Sequence, residues 1–412
     1  MALIVVFLFV ANLAFLSFYE DSLILEVLFI GVFYSIVDMV LNKLGVDGGR
    51  LVVRLALSLG VIIYEILMHK RSGKRLSTVV REGTTIGVIV ISAVLVMRIM
   101  VEDYFLVNYG SYVLSYLIFV IIPYFIARYS VVNAASIKKF PLYTVALGIV
   151  FTIAFFLFAN WQNIMPGSRS SIYESTERFD SISLSRILSL VIVALVVLIL
   201  NPNNESKKTY IGIPVLLIYV YLLLFVPQRG TIIGVIIGLL LYGVFEKEKK
   251  KLAIVVTIGL VLLALLYLVD LSQFGILDRF LELKDYETFQ RYDDYSISWR
   301  LFKTNPFFGI GPMGYFEKTG RPYPHNMMLE LMVEYGILGV VAGLILLIGG
   351  WRVALDILKS NDIFYEWKAV AIMWIVMFTS AMVSSNLIGN SVFFMITGLI
   401  ANGGKHKGFL IG

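Results

Sequence analysis

The chain has 412 residues, 59% hydrophobic, 14% aromatic and only 15% charged, with a formal net charge of +6. That composition excludes a soluble globular domain and points to a polytopic membrane protein, so residues 1–412 read as a single integral membrane unit. The absence of cysteine excludes disulfide and thiolate chemistry, and no basic run is interleaved with stacking aromatics, which sets nucleic acid aside.

Taken in order, apolar segments occupy roughly residues 2 to 18, 23 to 41, 51 to 68, 83 to 101, 111 to 128, 141 to 160, 185 to 200, 210 to 226, 230 to 245, 252 to 270, 326 to 350, 367 to 385 and 389 to 402, most near the ~20 residues a spanning helix needs. The fold class expected is all-α, a polytopic transmembrane helical bundle of about 12 to 13 spans. The first segment lacks a basic flank and a clear cleavage site, so it reads as a retained span rather than a signal peptide. If the spans alternate, the basic clusters at His69 to Arg75, Arg128 to Lys139, Lys207-Lys208, Lys247 to Lys251, Arg352 to Lys368 and Lys405 to Lys407 share one side, which the positive-inside rule makes cytoplasmic. Residues 102–110, 161–184 and 271–325 then face outward. Near the N-terminus the charges run the other way, with Lys43, Arg50 and Arg54 outside and Glu20-Asp21 inside. The outer stretch 271–325 is too long for a plain connector and too apolar for disorder. Leu277, Phe280 and Leu281, then Trp299 and Phe302, predict one or two short amphipathic helices on the membrane surface.

Three histidines occur in the chain. His69 and His406 fall in basic stretches and read as solvated bystanders. His325 lies at the mouth of an apolar helix with Asn326 placed to cap it. There the helix dipole disfavours imidazolium and leaves the neutral ring a general base needs. A plain turn leading into a helix accounts for His325 equally well, since a lone His does not define catalysis. Pro227-Gln228-Arg229-Gly230 is so short a turn that Arg229 must sit at or just inside the membrane surface, where an unpaired Arg is costly. Its planar fork suits a pyrophosphate and Gly230 leaves room for close approach; a snorkelling anchor is the other reading. Glu330 and Glu334 share a helical face, the second a turn deeper and expected to pair with an arginine. Asp293-Asp294 and Glu102-Asp103 read as solvated loop charges. No spaced His, Asp and Glu set suggests a metal site.

Phe307-Phe308-Gly309-Ile310-Gly311-Pro312, then Pro324-His325-Asn326 with Leu329, then Glu334-Tyr335-Gly336 with Gly339, resembles the signature of the O-antigen ligase and polymerase superfamily. The resemblance covers the last third of the chain well and the first half by hydropathy alone. It implies a GT-C-like bundle with no cofactor, working as a metal-independent glycosyltransferase at the outer face of the bacterial cytoplasmic (inner) membrane. It implies His325 as the base on an acceptor hydroxyl and Arg229 at the donor pyrophosphate. Arg291 is similarly placed to an Arg of the family, fifteen residues before Pro306, although the Trp expected four residues on is Tyr295 here and Trp299 follows instead. Arg300 competes with it. Of the outward arginines 169, 178 and 186, the last, at the start of a span, best answers an anionic lipid carrier. Gln228, Asn326 and Glu334 support the site, and Glu102 or Asp103 is a rival base. The partners implied are an undecaprenyl-pyrophosphate-linked donor and acceptor, membrane lipids and a chain-length regulator. Polymerisation of repeat units is the activity expected. The alternatives are a ligase acting on lipid A-core and a flippase, for which repeat symmetry and interrupted helices would be the marks.

Overall fold

The computed structural model describes residues 22–34, 36–37, 49–72, 83–101, 109–129, 134–158, 181–201, 206–226, 228–246, 286–360 and 364–403, with residues 12, 16, 253 and 257 standing alone. Among them every regular element is helical. In chain order these are α1 (Ser22–Leu28), running into a π turn at Phe29–Phe33; α2 (Gly49–Ser72); α3 (Gly83–Val101); α4 (Tyr109–Tyr116), joined by a π turn at Leu117–Ile121 to α5 (Ile122–Tyr129); and α6 (Ala134–Phe158). There follow α7 (Ser181–Leu200), α8 (Ser206–Phe225), α9 (Arg229–Phe245), α10 (Tyr286–Thr304), α11 (Gly314–Thr319), α12 (Met327–Lys359), α13 (Trp367–Val383) and α14 (Ser391–Gly403), the last entered by a 3-10 turn at Ile388–Asn390. Among the described residues, five helical stretches are long and apolar enough to cross a membrane, and shorter apolar helices accompany them. The protein is therefore a multi-pass helical bundle. Segments 2–18 and 252–270 lie almost wholly outside the described residues, as do Glu102, Asp103, Arg169, Arg178 and residues 271–285.

Burial orders the bundle. Trp367 and residues 369–377 of α13 are at most 2% exposed, with α7, α9, α12 and α14 packed about them. The Trp374 indole donates to Thr397 Oγ1 (3.0 Å), joining α13 to α14. At the periphery the side chains stay apolar. Ile337, Val341, Leu344 and Ile348, spaced four, three and four apart, form an exposed stripe along α12. In water such a stripe would be penalised by its apolar area, whereas hydrocarbon accepts it, so it marks the lipid-facing side.

Close backbone approach replaces the hydrophobic drive that lipid cannot supply between helices. Gly230, Gly234 and Gly238 line the face of α9 against α13, where a Cβ on Gly234 would lie 2.9 Å from the Val376 carbonyl oxygen. The sequence reading gave Gly230 the task of leaving room for a ligand. In the structure Ser380 and Val383 take that space, because Gly230 is the first member of this packing stripe.

Charged side chains are held at both ends of the bundle. At one, α9 ends and α13 begins with Lys368 paired to Glu246 (3.2 Å), and Lys359 at the end of α12 lies over the Phe245 ring. Toward the other, Arg54 of α2 is 6% exposed, donating to Ser391 Oγ (2.7 Å) and lying over the Phe119 and Tyr34 rings. Burial among these partners is the reason a charge that runs against the positive-inside pattern is tolerated there.

Candidate active site

Among the described residues, four of the helices that begin toward the Arg54 end are tied to one corner, residues 380–390, where α13 turns into α14. From α7, Arg186 is 3% exposed and donates to Ser380 Oγ (2.9 Å), the Gly389 carbonyl (2.7 Å) and Asn390 Oδ1 (2.6 Å). From α9, Gly230 lies on Ser380 and Val383, which brings Arg229, the first residue of that helix, beside the corner. From α12, Asn326 is the N-cap: its Oδ1 accepts from the N–H groups of Met328 (2.9 Å) and Leu329 (3.1 Å), and its Nδ2 donates to the Met382 carbonyl (2.7 Å). Glu330, one turn on and buried, accepts the Leu387 N–H (2.6 Å), so it fastens the corner rather than merely complementing the helix dipole. The fourth start is α14 itself. Positive dipole ends thus lie near Arg186 and Arg229, and the chemistry such a place favours is the binding of an anion.

His325 precedes the cap in a left-handed conformation (φ 56°), half-buried, with its ring edge-on to Tyr323 at 4.6 Å. Among the described residues the non-glycine positions with positive φ are Met313, His325 and Ser385, all in segments framing this end. Each costs on the order of 1–3 kcal/mol, and such strain persists where the surroundings over-determine a geometry.

The spaced motif is a single joint. α12 breaks at Gly336 (φ 65°, ψ −150°), which frees carbonyls on the preceding turn. Val333 then accepts from the Ile310 N–H (2.9 Å), Glu334 from the Gly311 N–H (2.9 Å), and the Ile337 N–H reaches the Pro306 carbonyl (2.7 Å). Gly309 (φ 68°) and Gly336 meet backbone to backbone: a Cβ on Gly309 would lie 2.5 Å from Tyr335 N, and one on Gly336 2.5 Å from the Phe307 carbonyl. Arg98 of α3 donates to the Gly309 carbonyl (3.4 Å). The Glu334 side chain takes the backbone N–H groups of Met313 and Tyr315 in place of the arginine expected, because the docked loop presents those donors to it directly.

The loop after α11 is held in turn by α10. Asp294, 1% exposed, accepts from Arg321 Nη1 (2.6 Å) and from the Tyr315 hydroxyl (2.8 Å). It is therefore no solvated charge: α10 folds as a helix across 286–304 and turns Asp294 inward, while Asp293 stays 62% exposed. The hydrogen bond to Asp294 pushes the Arg321 guanidinium above its ordinary value, and burial, then Asp294, pushes the Tyr315 phenol up. Sequence reasoning passed over Arg321, although an Arg four residues before His325 was there to be weighed.

The structure thus brings together Arg186, Arg229, Gln228, His325 and Asn326, with Glu334 beneath them in the motif joint. Gln228 is 2% exposed, and its carbonyl accepts from Thr231 Oγ1 (3.0 Å). Arg291 and Arg300 lie apart on α10, Arg291 half-buried on the side of Asp294 and Ser298, Arg300 exposed. An apolar cavity of about 230 Å³ lies between α6, α7 and α8, lined among others by Phe151, Phe155, Leu184, Leu188 and Val226. Leu184 and Leu188 flank Arg186 in sequence, and Val226 precedes Gln228 by two. Among the described residues no three His, Asp or Glu side chains gather as metal ligands would.

Fold and site define a multi-pass helical membrane protein with a cluster of polar groups around the 380–390 corner at the Arg54 end of the bundle. Residues 214–344, from within α8 through the Gly336 break, match the family described as O-antigen ligase. That match, over about a third of the chain, supports the resemblance to the O-antigen polymerase and ligase superfamily of membrane enzymes. Comparison with curated proteins found no match.

Proposed function

We propose that the protein is a membrane glycosyltransferase that joins polyprenyl-pyrophosphate-linked repeat units into a surface polysaccharide on the outer face of the bacterial cytoplasmic membrane. The observation that supports this is the gathering of Arg229, Arg186 and His325 around one corner ringed by four helix starts. A pyrophosphate is the dianionic, oxygen-rich group such a place would hold. Arg229 contacts it. Arg186, which spends three donors on protein acceptors, contributes charge and fixes the corner. Arg291 is the remaining pyrophosphate candidate, favoured over Arg300 by its inward side of α10. The isoprenoid chain of the carrier has an apolar cavity available between α6, α7 and α8, on the face of α7 opposite Arg186.

In the reaction His325 accepts the proton of an acceptor sugar hydroxyl, and that oxygen forms a bond to the anomeric carbon of the donor glycan. The bond from that carbon to the pyrophosphate oxygen breaks, and its electron pair leaves with the lipid pyrophosphate. Fixed arginine charge and helix ends stabilise the growing negative charge without reorganising.

A ligase reading has its own support, since the matched family is described as O-antigen ligase. A transporter has less. The break in α12 is a feature transporters share, but here the freed carbonyls are taken by the 306–311 loop, so it serves as a joint. Proteoliposomes supplied only with undecaprenyl-pyrophosphate-linked repeat units separate these readings. A product ladder supports the polymerase, transfer only after lipid A-core is added supports the ligase, and translocation of the lipid-linked glycan without any product overturns both.

A further inference from the structure

The exposed half of α10 is itself divided. At about 100° per residue, Asp294, Ser298 and Leu301 turn toward the protein. Tyr292, Tyr295, Trp299 and Phe302 fill the next sector, at 74, 41 and 50% exposure for the first three, with Phe302 half-buried and stacked on Trp299 at 5.7 Å. Asp293, Ser296, Arg300 and Lys303 fill the sector beyond, all exposed. So a helix already docked through Asp294 shows an aromatic quarter and a charged quarter side by side. That is the pattern of a helix lying in a lipid–water interface, where aromatic rings enter the headgroup layer and basic groups stay above it.

What covers the aromatic quarter follows from its neighbours. The loop after α10 is fastened to α12 by the Ile337 N–H to the Pro306 carbonyl, and on it Phe307 and Phe308 are 70% and 54% exposed. The Phe307 backbone lies against Gly336, and Ile337, the first residue of the lipid-facing stripe of α12, comes next in the chain. We propose that α10 is seated in the bilayer interface at the His325 end, with Tyr292, Tyr295 and Trp299 among the acyl–headgroup boundary and Arg300 and Lys303 on lipid phosphates. The lipid surface thereby becomes one wall of the segment that carries His325, through Asp294, Arg321 and Tyr315. This does not depend on the reaction proposed above.

The cysteine-free chain permits a direct test by spin labelling in lipid nanodiscs. Tyr292→Cys and Trp299→Cys sample the aromatic quarter, and Ser296→Cys and Arg300→Cys the charged one. Phe307→Cys and Asp293→Cys repeat the comparison should any of the first four fail to fold. Labels at 292, 299 and 307 are expected to collide with lipid-dissolved oxygen in preference to an aqueous nickel chelate, and those at 293, 296 and 300 the reverse. Equal nickel access in both sectors would overturn the proposal in favour of a water-facing platform for glycan. Shielding of 292 and 299 from both reagents would overturn it in favour of a protein partner or a second copy of the chain.

Discussion

At His325 the neighbouring residue does the holding. Asn326 satisfies two N–H groups of α12 and reaches the Met382 carbonyl, so it joins the candidate base to the corner that also binds Arg186. Asn326→Ala is expected to cost about 1–2 kcal/mol, seen as a lower Tm in detergent. Asn326→Asp keeps both cap bonds and loses only the link to Met382, so a melt close to wild type with reduced turnover would show the link serving the site. Arg229→Lys retains charge without the planar fork, and about tenfold weaker use of lipid-linked donor is expected, ~1.4 kcal/mol. Unchanged kinetics would leave Arg229 an interfacial anchor. At Tyr315, burial and Asp294 raise the phenol above its ordinary value. Its contribution is complete below the unfolded pKa of about 10 and is lost only as pH rises through the raised one. Tyr315→Phe should therefore lower stability by about 1 kcal/mol to the same extent at pH 7 and pH 9. A difference that shrinks between those values would contradict the assignment.

Among the elements, the joint between the 306–311 loop and broken α12 governs the rest. Gly309→Ala or Gly336→Ala places a Cβ against backbone that cannot yield, at a positive φ besides, and little folded, active protein is expected from either. Gly320→Ala is the control: its φ is also 68°, yet nothing lies within 4 Å, so it should cost only the ~1–2 kcal/mol of left-handed strain. Comparable losses in all three would remove the joint from its central place. The glycines were legible in the sequence as spaced motif elements, but not that Gly309 and Gly336 face each other, because a helix break and its loop are created together by docking. Asp294 was misread for a similar reason. Local composition says loop charge, and only the helix phase of α10 turns it inward onto Arg321. The small-residue repeat at Gly230, Gly234 and Gly238 was readable, but only Gly230 was weighed, as room for a ligand instead of as packing against α13.

For the whole molecule hydropathy was sufficient, since outward apolar stripes and a buried α13 are what lipid demands of composition. Helix limits shifted where hydropathy ends before the helix does: α12 continues to Lys359, and its part beyond the Gly336 break runs about 35 Å at ~1.5 Å per residue, a little past the ~30 Å of hydrocarbon. Arg54 looked misplaced by charge counting because its partners on α14, in the second π turn and just after the first are distant in sequence. Sidedness can be read in intact cells with single cysteines. Lys318→Cys is expected to react with a membrane-impermeant maleimide and Lys359→Cys only after lysis; the reverse would turn the site toward the cytoplasm. The most direct measurement is of turnover and donor binding together, for His325→Ala in proteoliposomes carrying undecaprenyl-pyrophosphate-linked repeat units. Loss of the product ladder with donor binding kept near wild type is expected. A ladder formed at the wild-type rate would remove His325 from the reaction and with it the site described at this end of the bundle.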